Sequence, residues 1–293
     1  MDPGESAESV PWRPAPALRG LVASYHGYRR RGGPPVPHRG LPSPYLTMIV
    51  TFDDPLVIAE HPDPRQRGGR YRTLVGGLHT RPATITRTAH EAGIQLALHP
   101  LGVRTLLGLP AGELARVDVG ADEVFGAVAH ELYERVGTAT SWPERFAVID
   151  DVLMRVARQG ETAAPELRHV WHRLIGTAGS ARVRDLAREA GWSERHLANR
   201  FRAEIGLSPK EALRVVRFDL ARRSLQRQAA NGDQPLLADL AAACGYYDQA
   251  HLAREFRDLA GCPPSRWLAE EFGNVQVTAP PEPAAWLTRH PGK

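Results

Sequence analysis

Between residues 18 and about 100 the apolar positions come in short extended runs, LVASYHGY, YLTMIVTF, PLVIAE, ATITRTA and GIQLALHP. Clusters of Gly, Pro and Asp, such as RRRGGPPVPHRG and HPDPRQRGG, separate them. Strand-length runs punctuated by turn residues predict a small β-sandwich or barrel. From Ala121 the period becomes helical, first in ADEVFGAVAHELYERVG, starting near residues 118–121, and then in SWPERFAVIDDVLMRVARQG, with Ser141 as cap and Pro143 in the first turn. The segment QGETAAPE, residues 159–166, reads as a linker that few contacts should cross, so residues 18–158 should form a separable domain. A helix over residues 165–175 opens the C-terminal part of the chain. Residues 1–17, rich in Pro, Ser and Glu, and residues 273–293, with VTAPPEPAAWLTRHPGK, lack the apolar content to bury a core and are expected to be mobile.

Residues 182–268 carry one helical unit written twice. LAREAGWSERHLANRFRAEIGLSP starts at Leu186 and LAAACGYYDQAHLAREFRDLAGCPP at Leu240. With one extra residue after the glycine of the second copy the two superimpose, Gly191 on Gly245, His196, Leu197 and Ala198 on His251, Leu252 and Ala253, Phe201 and Arg202 on Phe256 and Arg257, and Gly206 on Gly261. Such a repeat marks duplicated supersecondary structure. In each copy a short helix closes at the glycine, and a capping residue, Ser193 or Asp248, starts a second helix. That is the grammar of a helix-turn-helix, whose second helix enters the major groove of DNA.

Leu197, Phe201 and Ile205 recur every four residues and form the buried stripe of the second helix in the first copy, leaving Arg195, Asn199 and Arg202 on the opposite side. In the second copy Leu252, Phe256 and Leu259 with Ala260 point inward, and Gln249, Ala250, Ala253, Arg254 and Arg257 take the outward and leading positions. Residues identical in both copies serve the frame, because two modules that read different bases need different side chains on an unchanged scaffold. His196 and His251 repeat and are read as packing or backbone-contact residues. Arg202 and Arg257 also repeat and suit phosphate contacts, which position a protein without carrying sequence information.

The stretches GWSERHLANRFRAEIGLSPKEALRVVRFDLARRSL and DLAAACGYYDQAHLAREFRDLAGCPPSRWL resemble the C-terminal DNA-binding domain of the AraC/XylS family of bacterial transcriptional regulators. The resemblance implies a seven-helix module over residues 167–272, with helix-turn-helices at 182–206 and 236–261 and a linking helix that sets the two reading helices about one DNA turn apart. It places base or groove contacts on Arg195, Ala198 and Asn199 and on Gln249, Ala250, Ala253 and Arg254. Ser193, Arg202 and Arg257 complete the expected DNA-binding set. The order GGLHTRPATIT, GIQLALHPLGVRTLLGLPAGEL and paired helices is similar to the cupin-like N-terminal domains that precede this module in many members, where they sense a small molecule, dimerise, or both. The expected class is therefore α+β in two domains, a small cupin-like β-sandwich or barrel with following helices and an all-α tandem helix-turn-helix. Double-stranded promoter or operator DNA is the expected partner. RNA polymerase, a small-molecule effector and a second copy of the chain are partners the resemblance leaves open.

With 293 residues, 42% apolar and 24% charged, the chain is long enough for two separate cores. Arginine supplies 35 of its 37 basic side chains, as a GC-rich coding sequence would also give. No run approaches 18 apolar residues and no basic-then-apolar leader opens the chain, so it is expected to be cytoplasmic, with no membrane partner. Cys244 and Cys262 flank structural glycines and are read as buried structural thiols. Residues 181–228 hold twelve Lys and Arg against six Asp and Glu, and residues 229–272 three against seven. Phosphate neutralisation dominates duplex affinity. The first unit and the linking helix should then supply most of that term, through Arg195, Arg202, Arg214 and Arg217.

The alternative reading is a cupin-type enzyme with an accessory DNA-binding domain, and an architectural or protein-binding helical module stands behind it. A cupin metal centre needs two closely spaced histidines with a carboxylate and a third histidine. His26, His38, His61, His79, His90 and His99 are scattered, and His169 and His172, one helical turn apart, have no carboxylate or thiolate neighbour. No Gly-rich phosphate loop, G-x-S-x-G elbow or cysteine cluster occurs. A DNA-repair methyltransferase fused to such a module would need reactive cysteines before Cys244, and there are none. No catalytic residue, metal ligand or cofactor is therefore expected.

Overall fold

The structure, a computed structural model, describes residues 6–157, 161–233 and 236–272. Ten strands open the chain: β1 (Ser6–Trp12), β2 (Val22–Arg31), β3 (Val36–Gly40), β4 (Leu46–Thr51), β5 (Leu56–Glu60), β6 (Gly69–Tyr71), β7 (Thr73–Gly76), β8 (Ala83–Arg87), β9 (His90–Leu98) and β10 (Asp118–Gly120). They form two antiparallel sheets, a six-stranded one ordered β1-β2-β9-β4-β7-β10 and a four-stranded one ordered β3-β8-β5-β6. Alternation along each strand divides the faces of the larger sheet. Leu46, Met48 and Val50 of β4 and Ile94, Leu96 and Leu98 of β9 enter the main core, while Thr47, Ile49, Thr51, Gln95 and Ala97 line a cavity between the sheets. This is the sandwich that the short extended runs predict.

Four helices cover the core face: α1 (Pro100–Leu107), α2 (Ala121–Phe125), α3 (Ala127–Thr138) and α4 (Trp142–Ala157). Phe146 of α4 stacks on Tyr25, centroids 6.0 Å apart, and the Tyr25 hydroxyl donates to Asp150 Oδ1 at 2.9 Å. The helical run from Ala121 does not form one helix. Gly126 breaks it at φ +54°, and residues 118–120 pair with β7 instead. The expected Ser141 start is observed, its hydroxyl accepting from the Glu144 amide at 3.4 Å.

Two further expectations are corrected. Residues 6–12, placed in a mobile tail 1–17, pair along their length with β2, and Trp12 stacks on Phe146 at 5.1 Å. Composition argued for a mobile tail because residues rich in Pro, Ser and Glu bury little, and Pro11 cannot donate to a ladder. As the outer strand of the sheet β1 does not need that donor, and β2 supplies the template. Residues 1–5 and 273–293 lie outside the described residues. Residues 159–160 lie outside the described residues, and 161–166 are not a loose linker. The Glu161 carbonyl accepts from Thr105 Oγ1 at 2.6 Å, Ala163 is buried, and helix begins at Pro165.

Seven helices follow among the described residues, as the resemblance implies: α5 (Pro165–Gly176), α6 (Val183–Glu189), α7 (Glu194–Ile205), α8 (Pro209–Ala230), α9 (Leu237–Ala243), α10 (Gln249–Ala260) and α11 (Pro264–Phe272). Their apolar faces join the core of the sandwich in one continuous cluster, so many contacts cross the boundary where few were expected. Arg104 of α1 grips Glu204 of α7 with two parallel bonds, Nε to Oε1 at 3.0 Å and Nη2 to Oε2 at 2.8 Å. Arg116 reaches Glu211 at 2.9 Å, and Arg39 of β3 pairs with Glu270 of α11. Gly112 lies so close to the end of α7 that a Cβ there would overlap the Ala203 carbonyl oxygen.

Candidate nucleic-acid interface

Both second helices of the repeat are built alike. The Ser193 hydroxyl accepts from the His196 amide at 3.2 Å at the start of α7, and Asp248 accepts from the His251 amide at 2.6 Å at the start of α10. Such caps satisfy one of the orphan donors of each first turn. The glycines that close the preceding short helices, Gly191 and Gly245, have φ of +71° and +74°, a conformation only glycine takes without strain. Leu197, Phe201 and Ile205, and Leu252, Phe256 and Leu259, are all at most 1% exposed. Phe201 packs on Trp171 at 6.0 Å and Phe256 on Phe218 at 5.0 Å.

The repeat assigns the two histidines to the frame. The Trp192 ring meets His196 edge-on at 5.0 Å, and Tyr246 meets His251 in the same way at 5.3 Å. Trp192 and Tyr246 are thus equivalent. The extra residue of the second copy is Tyr247, whose side chain is 93% exposed. Helical phase alone does not single it out, although the one-residue offset between the copies points straight at it.

The positions singled out for DNA contact fall on the solvent face. Ser193, Arg195, Asn199 and Arg202 are exposed on α7 with Ala198 half-buried between them, and Gln249, Ala250, Arg254 and Arg257 are exposed on α10 with Ala253 half-buried. Arg195, Arg202, Arg254 and Arg257 are exposed and make no ion pair with a carboxylate among the described residues, although Arg202 lies near enough to act on the Glu211 carboxyl, and Arg200 adds a further exposed cation on α7. The linking helix is different, and here the charge argument is corrected. Arg214 Nε donates to Glu255 Oε1 at 2.9 Å and its Nη2 to Asp258 at 3.2 Å, and Arg217 Nη2 reaches Glu255 at 3.3 Å. These two arginines are held by carboxylates on the underside of α10. Farther along α8, Arg222 and Arg223 bracket Asp219 at 2.6 and 2.7 Å. Net charge summed along the sequence cannot tell an arginine facing solvent from one facing a carboxylate on the next helix.

The sequence-predicted buried thiols are buried, and burial pushes the Cys244 thiol up to about 11. Within the sandwich His61 Nδ1 donates to Asp118 Oδ2 at 2.7 Å, so its Nε2 can accept from the Tyr71 hydroxyl at 3.2 Å. His169, expected to have no carboxylate neighbour, pairs with Glu189 at 3.0 Å, because the two adjacent helices bring residues twenty positions apart together. The cavity between the sheets has a volume of about 1050 Å³. It is apolar at Ile49, Ile58 and Leu74, and the C-terminal module contributes Arg222, Gln226, Trp267 and Glu271 to its wall. Two buried donors there, Arg222 Nε and Trp267 Nε1, have no acceptor among the described residues.

Both halves of the chain have counterparts among known proteins. Residues 186–270 match the family model described as "Helix-turn-helix domain", and residues 11–119 match "Domain of unknown function (DUF6597)". A putative AraC-like transcription regulator of Streptomyces lividans is 32% identical over 154 residues, 47% of this chain and 48% of that one. The HTH-type transcriptional activator RhaR of Escherichia coli is 28% identical over 174 residues, 57% of this chain and 60% of that one. The chain thus spans between about half and three fifths of the length of these relatives. Among solved structures, ToxT of Vibrio cholerae aligns with 91% of this chain and 98% of its own at a TM-score of 0.48 and 10% identity.

Proposed function

We propose a function from one premise: the chain belongs to the AraC family, through the helix-turn-helix module that its relatives share. The function is sequence-specific binding of double-stranded promoter or operator DNA in the cytoplasm, with α7 and α10 in successive major grooves. One observation carries this reading: two helices on identical frames expose different side chains at equivalent positions, Arg195 and Asn199 against Ala250 and Arg254. Arginine can pair with guanine and asparagine with adenine through two bonds each. Arg202 and Arg257, the same in both units, serve as phosphate anchors.

The experiment is selection of fragments from a random duplex library by the full chain, followed by competition against bulk DNA. A regulator should prefer its selected site by at least ~10³. A preference of only a few-fold would mean shape-dependent binding by an architectural protein and would end this reading.

The N-terminal sandwich modulates this activity. Its cavity falls near the upper end of the usual ligand range. Arg222 and Trp267, which line it from α8 and α11, each carry a buried donor without an acceptor among the described residues, suited to an effector that presents an oxygen once the side chain turns its donor toward the cavity. Such a ligand would touch both the sandwich and the reading module. Thermal melting of the full chain with a library of small organic acids, alcohols and amides tests this. Stabilisation should be lost in Trp267→Phe, which removes the donor while keeping an aromatic ring, the shift being read against that variant's own unliganded melting temperature.

A further inference from the structure

We infer that the second reading helix recognises thymine by its 5-methyl group, through an apolar surface made of Tyr247, Ala250 and Ala253. This rests on the proposal that α10 enters a major groove. The two units differ most where they should read. At the equivalent outward positions Arg195 and Asn199 of α7 give way to Ala250 and Arg254 in α10, while Ala253 repeats Ala198, a small residue that lets the helix approach the groove in both units. Alanine has no hydrogen bond to give a base edge, and the one feature of the major groove that an apolar side chain can read is the thymine methyl. Ala250 and Ala253 are three residues apart on one face of the helix, and they sit in its N-terminal half, the part that a helix-turn-helix brings to the bases.

Tyr247 extends that surface. It immediately precedes the Asp248 cap, and the first unit has no counterpart, since Trp192 matches the buried Tyr246. Its main chain is held, the amide donating to His251 Nδ1 at 3.3 Å, while its ring makes no contact with another ring among the described residues. Among the described residues it is the most exposed large apolar or aromatic side chain, 93% against 69% for Leu236 and 40% for Trp12, whose ring is stacked on Phe146. An aromatic ring anchored by its backbone at the leading end of a reading helix supplies the contact area that two alanines lack. The electrostatics agree, because α10 exposes only Arg254 and Arg257 as cations while Glu255 beneath them is buried.

The test uses the full chain and a duplex selected by it, with each thymine replaced in turn by deoxyuridine, which removes the methyl and leaves every hydrogen bond. The half-site of the second unit is the one whose base preference changes in Arg254→Ala. At one or two thymines of that half-site the replacement should weaken binding about fourfold, the effect of exposing one methyl group, and in Tyr247→Ala the difference between thymine and uracil should shrink or vanish. Tyr247→Phe should keep it. The inference fails if no thymine there depends on its methyl, if the dependence is undiminished in Tyr247→Ala, or if Tyr247→Phe loses it, which would make the hydroxyl the contact. A protein that selects no duplex would instead refute the proposed function, and the two failures are distinct. Circular dichroism and melting of each variant exclude loss of fold, which substitution at so exposed a position should not cause.

Discussion

Replacing Arg214 and Arg217 together by alanine should destabilise the protein without changing how salt affects its DNA binding, the reverse of what the charge along the sequence suggests. Glu255 is 7% exposed and receives both guanidinium groups, at 2.9 and 3.3 Å, with His251 Nε2 farther off at 3.8 Å. Removing the partners leaves a buried carboxylate with no close cation, a change that costs about 3 to 5 kcal/mol. Restoring a neutral side chain in the triple variant Arg214→Ala/Arg217→Ala/Glu255→Gln should recover much of that loss. The comparison is Arg195→Ala/Arg202→Ala, which removes two exposed cations that make no ion pair with a carboxylate among the described residues. Its stability should stay within about 0.5 kcal/mol of wild type, and the slope of log K against log salt should fall by about 0.9, for the one phosphate that Arg202 anchors. Urea unfolding gives the stabilities, and fluorescence anisotropy on one selected duplex over a range of salt gives the slopes. If Arg214→Ala/Arg217→Ala lowered the slope by as much as Arg195→Ala/Arg202→Ala while leaving stability untouched, these two arginines would face phosphate and the ion-pair account of α8 would be wrong.

Within the first unit, Arg195→Ala or Asn199→Ala should relax preference at particular base pairs by ~1 to 3 kcal/mol each, whereas Arg202→Ala should weaken all sequences alike; site-variant binding profiles separate the two, and a base-specific effect of Arg202→Ala alone would put the helix in the wrong phase. Gly112→Val should force the sandwich and α7 apart, since even one added carbon meets the Ala203 carbonyl; limited proteolysis near residues 161–164, where Ala163 is buried beside the exposed Glu161 and Thr162, should then run faster than in wild type. Stability should fall as pH drops below the ordinary histidine range. Burial holds His99 down at about 4, helped by nearby His172 and opposed by a hydrogen bond with the Arg19 main chain. The unfolded state therefore binds the proton first, and up to about 3 kcal/mol is lost between pH 6.5 and 4, at ~1.4 kcal/mol per unit. Urea midpoints of wild type and His99→Gln across that range should converge at low pH, and parallel curves would refute the assignment.

The repeat and its periodicity were enough, without coordinates, to establish two helix-turn-helices, their caps at Ser193 and Asp248, and the inward stripes, because each is local: a cap, a turn and a spacing of three or four residues are complete within a dozen positions. The β-sandwich followed from run length and turn residues for the same reason. What needed the tertiary structure was every property that depends on which distant residue stands opposite. Strand β1 exists because β2 offers it an edge, and its own Pro, Ser and Glu give no hint of this. The segment after the sandwich packs because Thr105 and the core receive it. Arg195 and Arg214 are indistinguishable as letters, yet one meets solvent and the other Glu255, forty-one positions away. Charge acts through space and falls off with distance, so only the fold decides which cations are left for DNA.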